Sequence, residues 1–318
     1  RISEKTYTGS NLTVDDLYEN NAVLVIDQWK SFYWREKTID NWQSYIKDLH
    51  STVVAQKAEE RNKNMDTYVF GFYTDVAAGN RVGTDVTTGT VTVDVTTGVV
   101  TGSGTTFTAA MVGRGFKAAG HTGWYRVKTF TDTTHIVIED DLDDSVSAYT
   151  GGAIGAGATF TVEAVTPVAI TTTNALSKFA ALKMKLDKAE ANGHSAVPMD
   201  GRWAVVPPEF ETVVTSGATG ISLHIPEVYE ELVKKGMLSM LQGFKIFVSN
   251  RLTGNNTDGY HCLAGHKNWM TFAEKVLEAT IEEDLQGNFG SAFKDLFVYG
   301  GKVTDSRRHF AAELFATF

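Results

Sequence analysis

RWAVVPPEFETVV, Arg202 to Val214, reads as a strand that stops abruptly and restarts as a helix. Trp203–Val206 is apolar and β-branched, the composition of a buried strand. Pro207 and Pro208 cannot donate a backbone hydrogen bond, so the ladder ends there. Proline is also pre-set for the first helical turn, so EFETVV can begin at once and bury Phe210, Val213 and Val214. No catalytic motif lies beside this corner, which points to a chain whose parts are held at a fixed angle.

Outward from the corner, helices and strands mix. Asn174 is the expected N-cap of ALSKFAALKMKLDKA, which places Leu176, Phe179, Leu182 and Leu186 on one face, and Asn192-Gly193 ends it. PEVYEELVKKG, Pro226 to Gly236, carries Glu227, Glu230 and Glu231 early and Lys234 and Lys235 late, matching the helix dipole. FKIFVSN, YHCLAG, WMTFAEKV, DLFVYGGKV and HFAAELFATF then read as strands, with turns at Gly254–Gly259 and Gly287–Gly290. Near the start, Ala22–Arg35 has strand composition, and Thr38-Ile39-Asp40 opens a long helix with Trp42, Ile46, Leu49 and Val53 in one stripe. QKAEERNKN beyond it is polar on nearly all sides, so the helix is expected to run on into solvent or along another chain.

Between these parts, Val86 to Val165 is rich in Thr and Gly and alternates with period two, the pattern of β-hairpins. Helical sequence resumes on both sides of it. The expected fold class is therefore α+β, with a small all-β domain inserted into the main body.

The 318 residues leave room for two or three compact units, and 42% hydrophobic with 21% charged residues is ordinary for a soluble globular chain. The net charge of −9 argues against tight wrapping of nucleic acid, and the nearest thing to a basic stripe is Arg307–Arg308. A lone Cys262 excludes an intrachain disulfide framework and fits a reducing compartment. Apolar stretches such as Ala22–Ile26 fall far short of a bilayer span. The opening RISEKTYTGS shows no signal pattern and no Met, so an upstream segment is expected to have been cleaved or to be missing.

A search for chemistry returns little. His261, Cys262 and His266 include a Cys-x3-His spacing, but His261 and Cys262 would face opposite sides of a strand. The expectation is a core Cys262 with the histidines flanking a turn. EDDLDD, Glu139 to Asp144, lacks the glycine and spacing of a calcium loop and reads as a solvated charged loop. GGAIGAGA (Gly151–Ala158), GSG (Gly102–Gly104) and Gly300-Gly301-Lys302 lack phosphate-loop order, and the first two read as flexible β-connections. No catalytic, cofactor-binding or metal-ligating residue emerges. Trp29, Phe32, Tyr33 and Trp34 are more telling: four large rings in six residues form either a core strand or a surface buried against another subunit.

Taken in order, VLVIDQWKSFYW…TIDNWQS, GRWAVVPPEFETVV, GFKIFVSNRL, HCLAGHKNWMTFAEKV and FGSAFKDLFVYGGKV resemble the major capsid (coat) proteins of tailed bacteriophages with the Hong Kong 97 type of fold. The resemblance covers most of the chain outside Val86–Val165 and accounts for the absence of a catalytic motif. It implies an extended E-loop over residues 1–39, with the N-terminal arm lying upstream of Arg1. It implies a peripheral domain over 40–85 and 166–200, with a spine helix from Asp40 to about Met65. An axial domain would cover 201–285, and 286–318 would return to the peripheral sheet. Where many relatives have a proline after the VYG-K-V strand, this chain has Thr304-Asp305-Ser306.

The implied function is self-assembly, through pentamers and hexamers, into an icosahedral shell enclosing double-stranded DNA. Assembly would take place in the host cytoplasm and the product would be the virion. The implied partners are further copies of the chain, a scaffolding protein, a portal and loosely contacted DNA, with no membrane and no cofactor. Trp29, Phe32, Tyr33 and Trp34 are the candidate subunit-interface residues. The competing expectation is a surface or tail-associated binding protein whose Thr/Gly-rich β-domain recognises carbohydrate.

Overall fold

The structure, a computed structural model, describes residues 23–37, 49–141, 148–188, 196–216, 240–282 and 289–318. Several expected features therefore lie outside the described residues: Trp42, Ile46, the Asn192-Gly193 stop, the Pro226–Gly236 helix and most of the E-loop span. The described chain is mixed α+β and contains three sheets.

The first sheet joins β1 (Gln28–Lys37), β18 (Gly290–Lys302) and β17 (Thr271–Glu282) in the order β1-β18-β17, antiparallel throughout. Helix α1 (Leu49–Phe70) runs along it and outlasts the expected end near Met65, closing in a 3-10 turn at Gly71–Asp75. Aromatic and ionic contacts hold the helix to the sheet. The Arg61 guanidinium sits 4.6 Å from the Phe297 ring and 3.7 Å from Asp295, and Tyr68 meets Tyr299 edge-on at 5.3 Å. The glycines of Gly300-Gly301-Lys302 let neighbouring segments approach β18, since a Cβ on Gly300 would strike the Val25 carbonyl and one on Gly301 the Met270 side chain. β1 begins six residues later than the expected Ala22 start, and Val23–Asp27 is not strand.

The second sheet lies wholly between residues 84 and 166. It comprises β3 (Thr84–Val86), β4 (Thr90–Val93), β5 (Val99–Ser103), β6 (Gly115–Ala118), β7 (Tyr125–Asp132), β8 (His135–Asp140), β9 (Ile154–Ala158) and β10 (Phe160–Thr166), in the order 3-10-6-7-8-5-4-9. Its own core includes Val91, Val100, Phe107, Phe116, Ile136, Ile138 and Phe160. The threonines close turns: Asp94 Oδ1 accepts the Thr96 and Thr97 amides at 2.9 and 2.8 Å, and Asp132 Oδ1 accepts Thr134 at 2.7 Å. GGAIGAGA is not merely a flexible connection, because Ile154–Ala158 is an edge strand laddered to β4.

The third sheet runs β11 (Val168–Ala169), β19 (Ala311–Thr317), β16 (Gly259–His266), β12 (Arg202–Val206), β14 (Phe244–Val248), β13 (Met240–Leu241). β2 (Arg81–Val82) pairs with β19, and β15 (Gly254–Asn255) pairs with β16. Helices α2 (Ala175–Asp187) and α3 (Pro208–Ser216) pack into its core with Phe179, Leu182, Leu186, Phe210, Phe244, Cys262 and Leu314. Asn174 occupies the N-cap position without capping. Its own backbone is helical (φ −111°, ψ −10°), and its Oδ1 accepts the Thr171 amide at 2.8 Å instead.

The proline corner forms as read. Val206 pairs with Val248, its carbonyl accepts the Ser249 amide at 3.0 Å, and α3 starts at Pro208 with the Phe210 amide on the Pro207 carbonyl at 3.1 Å. Phe210 and Val214 are buried and Val213 is half-buried.

Two expected domain limits meet these ladders awkwardly. β17 and β18 pair from Thr271↔Lys302 to Glu282↔Ala292, so a boundary at residue 285 separates strands that share one ladder. The last strand, β19, pairs with β16 rather than joining the sheet beside α1.

Candidate assembly surfaces

Strand periodicity divides the aromatic cluster between two faces of the first sheet. Phe32 and Trp34 lie on the α1 side and are half-buried; the Phe32 ring is 5.5 Å from Phe293 and lies under Lys57 Nζ at 5.3 Å. With Phe293, Phe297, Val54 and Arg61, Phe32 lines a groove of about 280 Å³ between helix and sheet, and Trp34 lies outside that lining. Trp29 and Tyr33 lie on the opposite face, 65% and 61% exposed. The core-strand reading thus accounts for Phe32 and Trp34 and leaves Trp29 and Tyr33 outside it. Apolar residues exposed to this degree on one strand are a candidate contact surface.

The join between the second and third sheets is a buried ionic cluster that no motif announced. Glu313, in β19, is fully buried; its carboxylate meets Arg81 Nε at 3.0 Å, Arg114 Nη1 at 3.0 Å and His261 Nδ1 at 2.6 Å. Burial pushes its carboxyl up, but the His261 hydrogen bond and the two guanidinium groups outweigh that and hold it at about 2. Glu163, in β10, accepts the Gly79 and Arg81 amides at 2.8 and 3.3 Å. Burial dominates at Glu163 and raises its pKa, favouring the neutral form. Arg81 is spent entirely inside the fold, since its Nη groups donate to the carbonyls of Gly113, Thr74 and Val76. Sequence reasoning missed the cluster because its members are scattered from Arg81 to Glu313 and none sits in a charge run.

The other candidates settle into structural roles. Cys262 is core, as expected, and burial pushes its thiol pKa up. His261 does not flank a turn: it sits within β16, stacked between Tyr73 at 3.9 Å and Phe315 at 4.5 Å. His266 is buried at the strand's end, where its Nδ1 accepts the Asn268 amide at 3.2 Å. The described half of EDDLDD is not a solvated loop. Glu139 pairs with Arg126 at 2.9 Å and Lys128 at 3.1 Å, Asp140 accepts from Thr150 Oγ1 at 2.6 Å, and Asp141 binds Arg308 at 2.8 Å. Arg308 is thereby buried, leaving no basic pair at 307–308 to face a phosphate.

Among the described residues, no three His, Cys, Asp or Glu side chains are grouped to hold a metal, and no helix is long and apolar enough to cross a membrane. None of the described aromatic rings of the second sheet is more than partly exposed, so it offers no open aromatic platform on which a sugar could stack.

No protein-family model matches the sequence, and no curated protein matches it. Solved structures do match. A structure from Mycobacterium phage Che8 is 17% identical with a TM-score of 0.56, the match covering 98% of this chain and 80% of that one. The capsid of Cyanophage P-SCSP1u is 14% identical at TM-score 0.53, covering 99% and 81%. The mature capsid of bacteriophage PhiM1 is 11% identical at TM-score 0.52, covering 100% and 79%. Along nearly its whole length, this α+β chain has the fold found in solved phage capsids.

Proposed function

We propose that this protein is a major capsid protein of a tailed bacteriophage, many copies of which close into an icosahedral shell around double-stranded DNA. The observation that carries the reading is the match of 98–100% of the chain to solved phage structures at TM-scores above 0.5. The architecture fits the task. A closed shell needs many modest contacts repeated over a rigid unit, and the long helix braced on a sheet, with the Pro-Pro corner fixing strand to helix, makes such a unit. The acidic balance suits loose contact with DNA that must be packed and released. Scaffolding and portal proteins complete the proposed set of partners.

The ladders favour a revised layout. α1 with β1, β17 and β18 serves as the peripheral domain and its spine. β12, β14, β16 and β19 with α2 and α3 serve as the axial domain. Residues 84–166, with their own core and an ionic join, serve as an inserted domain; limited proteolysis that cuts freely within 84–166 while sparing the rest would argue against that independence.

The test of function is negative-stain electron microscopy of the expressed chain. Closed, uniform shells are the expected result, and a protein that stays monomeric at all concentrations overturns the reading. Trp29→Ala and Tyr33→Ala are expected to leave monomer unfolding within about 0.5 kcal/mol of wild type, because exposed side chains carry little folding energy. Each is expected to weaken assembly by about 2 kcal/mol per contact, as buried interface aromatics do. Unchanged assembly at equal protein concentration would remove these two residues from the interface.

A further inference from the structure

β1 and β17 are the two outer strands of the first sheet, and among the described residues each is paired on one side only. They are long for edge strands, at 10 and 12 residues. Each presents backbone N–H and C=O groups directed away from β18, a template for pairing with another strand, which on β17 is divided by a bulge at Leu277 into Thr271–Val276 and Glu278–Glu282. Neither is blunted by a proline. Both run antiparallel to β18, so they run in the same direction.

Their charges are opposite. On β1, Lys30, Arg35 and Lys37 are exposed while Glu36 is buried. On β17, Glu274 and Glu278 are exposed and Glu282 is half-buried, set against a single Lys275. Within the chain Lys294 reaches Glu282 at 2.7 Å and Glu278 at 3.8 Å, which moderates the acidic edge without reversing it. A two-fold pairing of β17 with β17, or of β1 with β1, would set like charges opposite one another. Pairing β1 of one copy with β17 of the next sets opposite charges together, and the shared strand direction makes that pairing parallel and head-to-tail. A head-to-tail contact of this kind closes into a ring or continues as an open array.

We infer that the β1 edge of one copy adds to the β17 edge of a neighbouring copy, carrying the first sheet across the subunit boundary. This rests on the shell reading and names a contact within it. The occupant is a second copy of this chain, recognised by main-chain hydrogen bonds and by basic-to-acidic edge complementarity.

The test exchanges the charges. One variant carries Lys30→Glu, Arg35→Glu and Lys37→Glu; the other carries Glu274→Lys, Glu278→Lys and Glu282→Lys. By sedimentation velocity, each alone is expected to need on the order of tenfold more protein to assemble than wild type. Mixed in equal amounts the two are expected to co-assemble, because every junction again pairs opposite charges, and the six-fold variant is expected to assemble alone. Variants that assemble like wild type, or a mixture that fails to recover, overturn edge pairing. Hydrogen exchange on the wild-type protein reads the same contact without substitutions. Backbone amides on the outer side of Thr271–Glu282 are expected to gain protection on assembly, and unchanged exchange there overturns the inference. A wild-type chain that never assembles removes the shell reading as well, whereas shells indifferent to both tests remove only this contact.

Discussion

Replacing Glu313 by Ala is expected to lower the unfolding free energy by about 3–5 kcal/mol, the usual cost of removing one member of a buried ion cluster. Arg81, Arg114 and His261 all converge on that carboxylate within 3.0 Å. Without it the buried Arg81 and the half-buried Arg114 lose the carboxylate they share, and the remaining carboxylate, Glu163, lies 4.0 Å from Arg81 Nη1 with its pKa raised by burial. Glu313→Gln keeps the volume and one acceptor oxygen, and is expected to fall between the two. Denaturant midpoints across the three proteins provide the measurement; an Ala variant as stable as wild type would show that the cluster does not hold the fold.

The same carboxylate sets an acid limit. Its pKa is about 2 in the folded protein against an ordinary 4.5, so its contribution is fully present above about pH 5. That contribution is lost as the pH falls through 4.5 toward 2, and amounts to roughly 3 kcal/mol. Glu163 has the opposite sign: with a raised pKa, it stabilises the protonated fold and loses that contribution as the pH rises above its ordinary value. Wild type is therefore expected to weaken steeply between pH 4.5 and 2, and the Glu313→Ala protein to lack that part of the slope.

Phe210→Ala is expected to cost about 3–5 kcal/mol by opening a cavity that the surrounding elements cannot close. The ring is fully buried in the core of the third sheet, 5.0 Å from Phe179 and 5.8 Å from Phe318. Pro207 and Pro208 hold the first turn of α3 rigid, so the helix cannot slide inward to fill the space. Phe210→Leu is expected to recover part of the loss. If calorimetry shows an Ala variant melting like wild type, the corner is softer than its two prolines indicate.

The sequence is legible where the chain's chemistry is local. The Pro-Pro corner, the apolar face of α2 with Phe179, Leu182 and Leu186 and the hairpins of the Thr/Gly-rich stretch all follow from neighbours within a few residues. What stayed hidden was long-range. Nothing near Arg308 indicates that it pairs with Asp141, and nothing near Glu313 indicates Arg81 and Arg114. Strand partners are equally opaque: β17 and β18 can be foreseen as strands, but their mutual ladder, which spans the expected limit at residue 285, is a property of register. The aromatic cluster was legible as a group and not as two faces, because its division depends on which side α1 covers.

β3 and β10, the first and last strands of the second sheet, are neighbours, with Thr84 opposite Thr166. The backbone thus leaves the body and rejoins it at a single narrow stem. Beyond that stem, Arg114 on Glu313 and Asp141 on Arg308 pin the second sheet to the body, so a change of length is absorbed most easily in the turns remote from those pairs.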